Sequence, residues 1–140
     1  MKAQHIKDTH FILISDIKGI GFAFNQLKIL LGKNNNNYLS LIYYLFPKVS
    51  AHPLFKSELE SIEKRFSSKL LVYYAHYNAP SFSDESCANQ QILEVVINSN
   101  TLNQMQFQVF GNSEFIEIIS ERLHFLGIKE NQIILNHLNK

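Results

Sequence analysis

Short apolar runs alternate with helix-like segments along this chain, and this alternation constrains its fold more than any other feature. The runs are rich in β-branched and aromatic residues and lack a strict polar–apolar alternation, which is typical of strands covered on both faces. Five such runs occur, at residues 11–14, 39–46, 70–75, 107–110 and 133–135. Because parallel strands need crossover connections, the order β-α-β-α-β-α-β-α-β predicts an α/β fold with helices on both faces of a parallel sheet.

The segments between the runs predict four helices. They cover residues 22–31, 53–66, 89–97 and 113–126. Pro53 suits the first helical position of its segment, and Asn112 or Ser113 can cap the start of the last helix. Gly32 and Gly127 predict that the first and last helices each end in a left-handed residue.

Size and composition indicate an ordinary globular protein. The 140 residues are expected to form a single domain over 1–140, with a core from about residue 10 to residue 138. The 13 Lys and Arg residues nearly balance the 12 Asp and Glu residues, which gives no electrostatic reason to expect nucleic-acid or membrane binding. No stretch of about 18 consecutive apolar residues occurs, so no transmembrane helix is predicted. The single cysteine, Cys87, cannot form an internal disulfide, so we expect a cytoplasmic protein.

The predicted fold indicates where a ligand would bind. Open parallel sheets bind ligands beyond the carboxyl ends of their strands, where the strand order reverses. The corresponding loops are residues 15–22, 46–53, 76–86 and 110–114. Gly19 and Gly21 could admit an anion at a helix N-terminus, although they do not complete a GxGxxG motif. The six histidines show no metal-ligand spacing, so no metal site is predicted.

Four segments, taken in order, carry a family resemblance. Residues 11–22 are similar to an apolar strand followed by Ala-Gly-Gly-Thr-Gly-Ile-x-Pro, and residues 54–59 are similar to Leu-Phe-x-x-Glu-Leu. Residues 109–113 lie where Cys-Gly-Pro precedes a helix, and residues 126–133 are similar to Leu-Gly-Val-x-x-x-x-Ile. Order and spacing are kept from about residue 9 onward. The chain thus resembles the NAD(P)-binding domains of ferredoxin reductases.

The resemblance implies a Rossmann-like, three-layer sandwich whose five strands lie in the order 3-2-1-4-5. It also implies an electron-transfer oxidoreductase in which bound NAD(P)H passes a hydride to a flavin held by another domain or chain. The protein orients the cofactor in this chemistry, so no residue of the chain is implied as catalytic. The implied contacts are Ser15, Lys18, Gly19 and Ile20 at the phosphates, His76 and Tyr77 at the adenosine, and Gly111 and Asn112 at the nicotinamide.

The departures from the family pattern lie on the cofactor side. Asp16 and Ile17 stand where the family has two glycines, and the Asp16 carboxylate would repel a phosphate from the helix N-terminus. Phe22 replaces the proline at the helix start and is expected to add bulk at the pocket floor. Phe110 replaces the cysteine near the nicotinamide, and Asn136 replaces a terminal acid. Binding of NAD(P)H is therefore expected to be weak or lost.

Other interpretations stay open at this point. A degenerate, non-catalytic domain of the same fold would act as a protein-interaction module, and a third possibility is a domain that binds another nucleotide-like ligand. The partner would be a flavin-binding domain in the first case and another protein in the second. Without the resemblance, Asp16 predicts a helix cap. The loop at His76 and Tyr77 offers no cationic fork for an extra phosphate, which favours NADH over NADPH.

Overall fold

The computed structural model describes residues 9–33, 37–45, 54–76, 87–98 and 104–137. Its strands are β1 (Thr9–Ser15), β2 (Tyr38–Leu45), β3 (Leu70–His76), β4 (Gln104–Gly111) and β5 (Ile133–His137). Its helices are α1 (Ile20–Leu31), α2 (Lys56–Arg65), α3 (Cys87–Asn98) and α4 (Ser113–Phe125), and a short 3-10 helix at Glu130–Gln132 precedes β5. None of the helices in this part of the chain is long and apolar enough to span a membrane.

The five strands form one parallel sheet in the order β3-β2-β1-β4-β5, which confirms the predicted fold class and strand order. The chain runs outward from β1 through β2 to β3, and then crosses back to β4 on the other side of β1. The strand order therefore reverses between β1 and β4. The carboxyl ends of these two strands border the crevice at which such sheets bind ligands.

Residues of β1 alternate between two hydrophobic clusters, one on each face of the sheet. Ile12 and Ile14 belong to the cluster that α3 and α4 cover, whereas Leu13 belongs to the cluster that α1 and α2 cover. Successive side chains of a strand point to opposite faces, so this alternation is what a doubly covered strand requires. Burial on both faces explains why the strands read as continuous apolar runs, and it produces the predicted three layers.

Three helices start at positions other than those predicted, and one of them is α3, which begins at Cys87 instead of Asn89. α1 begins at Ile20, two residues before Phe22. α2 begins at Lys56, and Phe55 immediately before it has a φ of 65°, in the left-handed region. A residue in that conformation cannot belong to a right-handed helix, so α2 starts after it. Pro53, the predicted first residue of this helix, lies outside the described residues.

The two glycines that follow helices behave differently from one another. Gly32 has φ −76° and ψ −12°, so it continues the right-handed turn of α1, and its N–H donates to the Lys28 carbonyl at 3.0 Å. Gly127 has a φ of 92°, and its N–H donates to the His124 carbonyl at 3.0 Å. The prediction of a left-handed residue is therefore wrong for Gly32 and confirmed for Gly127.

His10 is a buried histidine near the start of β1. Its Nε2 lies 2.8 Å from the Ser40 hydroxyl oxygen, and burial lowers the pKa of the ring below its ordinary value of 6.5. The unfolded chain therefore binds a proton at this position more readily than the folded protein does. The neutral ring contributes its full stability above pH 6.5, and this contribution is lost as the pH falls below that value.

We expect the free energy of unfolding to decrease between about pH 7 and pH 5, with His10 responsible for part of the slope. Urea denaturation followed by circular dichroism at a series of pH values measures it. His10→Gln should flatten the slope, because the glutamine side chain does not titrate. Equal slopes in the wild type and His10→Gln would contradict the assignment to His10.

Candidate functional site

Two helix N-termini converge at the crevice between β1 and β4. Gly19 precedes α1, and Asn112 precedes α4. The Asn112 side chain caps α4, because its Oδ1 accepts from the Phe115 N–H at 3.0 Å. The first amides of a helix have no partner within the helix and carry partial positive charge. The backbone amides at this crevice therefore favour a negative charge.

The Asp16 side chain occupies this position. Its Oδ1 accepts from the Gly19 N–H at 2.8 Å, and its Oδ2 accepts from the Asn112 N–H at 3.3 Å. The Asp16 N–H in turn donates to the Phe110 carbonyl at 3.3 Å. Asp16 is only 4 % exposed. A single buried carboxylate thus joins the turn after β1 to the turn after β4. The N-cap of α1 is Gly19 and no side chain caps this helix, so the prediction that Asp16 caps it is wrong.

Close backbone packing explains two glycines in these turns. A Cβ on Gly19 would lie 2.5 Å from the carbonyl carbon and oxygen of Phe110. A Cβ on Gly111 would lie 2.7 Å from the Asp16 carboxylate. Neither position has room for a side chain, because the two turns press against each other. By contrast, a Cβ on Gly21 would lie 3.8 Å from the Phe55 ring, at an ordinary contact distance.

Opposing effects act on the Asp16 carboxyl group. Burial raises its pKa, while hydrogen bonds from the Gly19 and Asn112 amides and the positive charge of Lys18 lower it, with burial the largest effect. The ionised carboxylate is therefore held at an electrostatic cost that the two amides do not fully offset. Titratable groups whose pKa is shifted by burial and by specific neighbours cluster at functional sites. Lys18 itself is exposed at the turn.

Tyr43 lies at the end of β2, beside β1. Its hydroxyl donates to the Leu54 carbonyl at 3.1 Å, which ties β2 to the segment before α2. Burial, together with Tyr74 and Asp16, raises the pKa of Tyr43 to about 12, so the hydroxyl remains a hydrogen-bond donor at neutral pH. No local sequence pattern pairs Tyr43 with Leu54, so this contact could not be predicted from the sequence.

The structure gathers five of the predicted contact residues around Asp16. They are Ser15, Lys18, Gly19, Gly111 and Asn112. The Ser15 hydroxyl is buried and donates to the Asp16 carbonyl at 2.8 Å.

Of the other three predicted contacts, two lie away from Asp16 and one lies outside the described residues. The Ile20 side chain is buried in the cluster under α1 and α2. His76 ends β3, which is separated from β1 by β2, and Tyr77 lies outside the described residues. The ligand contacts of all eight residues stay predictions.

The replacements on the cofactor side differ in where they lie. Phe22 is 62 % exposed, so the expectation that it fills the floor of a pocket is wrong. Phe110 is 5 % exposed and belongs to the cluster under α1 and α2. Asn136 pairs with Phe110 in the sheet, and its Nδ2 is buried without a hydrogen-bond partner among the described residues. Within the same residues, no three His, Cys, Asp or Glu side chains lie close enough to share a metal ion.

Comparisons with known proteins identify solved structures that have a similar fold. No protein-family model matches the chain, and no curated protein matches its sequence. The CS-b5R domains of human Ncb5or in the NAD+ form superpose with a TM-score of 0.68 and 17 % identity, over 92 % of this chain and 36 % of that one. Ferredoxin-NADP+ reductase from Plasmodium falciparum superposes with a TM-score of 0.66 and 18 % identity, over 93 % and 53 %.

A third similar structure is the flavohemoglobin from Malassezia yamatoensis, solved with bound FAD and heme. Its TM-score is 0.68 and its identity 14 %, over 94 % of this chain and 32 % of that one. The chain thus spans about a third to a half of the length of these proteins. Strand order, layers and overall superposition agree, and the chain has the fold of the NAD(P)-binding domains of ferredoxin-reductase-like oxidoreductases.

Proposed function

We propose that this chain is the nucleotide-binding part of an electron-transfer oxidoreductase. NAD(P)H binds at the carboxyl edge of the sheet and passes a hydride to a flavin held by another domain or chain. The observation that carries this proposal is the meeting of the Gly19 and Asn112 turns at the β1–β4 crevice, in a fold shared with reductases. A flavin-binding domain is the partner that this chemistry requires.

Five of the eight predicted contacts have a part in this proposal. Lys18 attracts the phosphates, because it is exposed at the β1–α1 turn and its charge reaches the crevice. Gly111 and Asn112 border the place of the nicotinamide, and His76 and Tyr77 border that of the adenosine. Affinity is low, since the Gly19 and Asn112 amides already bond to Asp16. NADH fits better than NADPH for want of a cationic fork at the adenosine end.

We expect isothermal titration calorimetry to show saturable NADH binding with a dissociation constant between about 0.1 mM and 10 mM. Lys18→Ala should weaken this binding by roughly threefold to fivefold, the effect of one solvent-screened charge. Lys33→Ala removes an exposed charge just beyond α1, at the opposite edge of the sheet, and should leave the affinity unchanged. A folded chain that shows no saturable binding would overturn the proposal.

A second candidate function is a non-catalytic protein-interaction module. Two features favour it, the carboxylate that fills the crevice and the exposed apolar side chains at the same edge of the sheet. Phe22 is 62 % exposed in the first turn of α1, and Leu54 is 57 % exposed just before α2. Both side chains lie near the starts of helices that begin at the carboxyl edge of the sheet, and apolar surface exposed at one edge is a feature of protein contacts. Absence of NADH binding in the calorimetry would favour this candidate over the first.

A further inference from the structure

The Asp16 carboxylate lies where a ligand phosphate would meet the two helix N-termini. Each backbone amide has one hydrogen to donate, and those of Gly19 and Asn112 are donated to Asp16. The carboxylate is buried, so water and salt screen its charge less than that of a surface group. A phosphate that approached these turns would find both amides engaged and a negative charge beside them.

The close packing of the turns keeps this carboxylate in place. Gly111 leaves no space between its backbone and the Asp16 oxygens, and Gly19 rests directly on the Phe110 carbonyl. The Asp16 N–H is itself bonded to that carbonyl, so the residue is held from both its backbone and its side chain. Turning the carboxylate away would break two hydrogen bonds, while the backbone bond from Asp16 to Phe110 would still join the turns.

We propose that Asp16 is the specificity-determining residue of the carboxyl-edge site. It acts as a built-in anion that disfavours a phosphate-bearing ligand group at the β1–β4 crevice, so that a dinucleotide is held by its uncharged parts and by Lys18. This inference rests on the proposed function for the location of the site. It adds that the discrimination against phosphate comes from one carboxylate, and that removing this carboxylate converts the crevice into a phosphate-binding position.

Inorganic pyrophosphate is the probe that isolates this effect, because it supplies the two linked phosphates of a dinucleotide without the rings. Asp16→Asn keeps the size of the side chain and removes its charge, and Asp16→Gly removes the side chain altogether. We expect calorimetry to show pyrophosphate binding at least about tenfold tighter in Asp16→Asn than in the wild type, with a further gain in Asp16→Gly. Thermal unfolding followed by circular dichroism verifies that both variants are folded.

Glu114→Gln is the matched control, since Glu114 is an exposed acid in the first turn of α4. Its affinity for pyrophosphate should stay within about twofold of the wild type. Pyrophosphate binding that is equal, weaker or undetectable in both folded Asp16 variants overturns the inference, even if NADH binds the wild type. Tighter pyrophosphate binding without any NADH binding supports the inference and rejects the proposed function.

Discussion

Gly19→Ala should lower the free energy of unfolding by about 3 kcal/mol, the upper range for a side chain forced into a filled space. The backbone at Gly19, with φ −92° and ψ −6°, suits alanine, so the whole cost is steric. The new Cβ would lie 2.5 Å from the carbonyl carbon and oxygen of Phe110. These are backbone atoms of a central strand, and they cannot move without disturbing the Asp16 hydrogen bonds. Urea denaturation followed by circular dichroism measures the loss.

Gly21→Ala provides the comparison two residues away. Gly21 lies within α1, where alanine is the better helix former by roughly 0.5–1 kcal/mol. Its Cβ would meet only the Phe55 ring, at 3.8 Å. We therefore expect Gly21→Ala to stabilise the protein while Gly19→Ala destabilises it. Equal effects of the two substitutions would show that the turns do not pack as described.

Gly111→Ala should cost about 2–3 kcal/mol, and most of this cost should depend on Asp16. The Cβ would lie 2.7 Å from the Asp16 carboxylate, and the φ of 158° adds strain for an alanine. In an Asp16→Gly background the carboxylate is gone. The cost of Gly111→Ala should then fall by about 1–2 kcal/mol, a coupling of the size found between residues in contact.

A double-mutant cycle on the free energy of unfolding measures this coupling without any ligand. Gly32→Ala serves as the control partner, because Gly32 lies at the far end of α1 and its Cβ would meet only the carbonyls of Lys28 and Ile29. Its effect should add to that of Asp16→Gly within about 0.5 kcal/mol. A cost of Gly111→Ala that is the same in both backgrounds would mean that the carboxylate does not lie against Gly111.

The fold could be predicted from the sequence because it depends on features repeated along the chain. Apolar runs separated by helical segments leave few arrangements open, and the family resemblance supplied the strand order. Helix starts were less predictable. Phe55 has a left-handed backbone conformation that no residue type signals, and its ring stacks on that of Phe24 with the ring centroids 4.9 Å apart. The earlier start of α1 also brings Ile20 to the buried face and leaves Phe22 exposed.

The candidate site was predictable in position but not in construction. Loops at the carboxyl ends of β1 and β4 follow from the fold, and Asp16 was predicted to cap the helix that follows it. Its second hydrogen bond, to Asn112, joins residues 96 positions apart. Such a contact follows only from the strand order and the closeness of the two turns. The sequence therefore predicted that Asp16 repels a phosphate at the start of one helix. The structure shows that its carboxylate accepts hydrogen bonds at the starts of two helices, α1 and α4.

The link between Asp16 and Asn112 also has a consequence for how the chain forms during synthesis. β1 lies at the centre of the finished sheet, yet its neighbour β4 is translated about 90 residues later. At about 5–20 residues per second, the partner of Asp16 is made roughly 5–20 seconds after Asp16 itself. Until then, one edge of β1 has unpaired backbone N–H and C=O groups, which can pair with another chain. The strand that pairs with this edge, β4, belongs to the second half of the chain. We therefore expect slow or interrupted translation before β4 to promote aggregation.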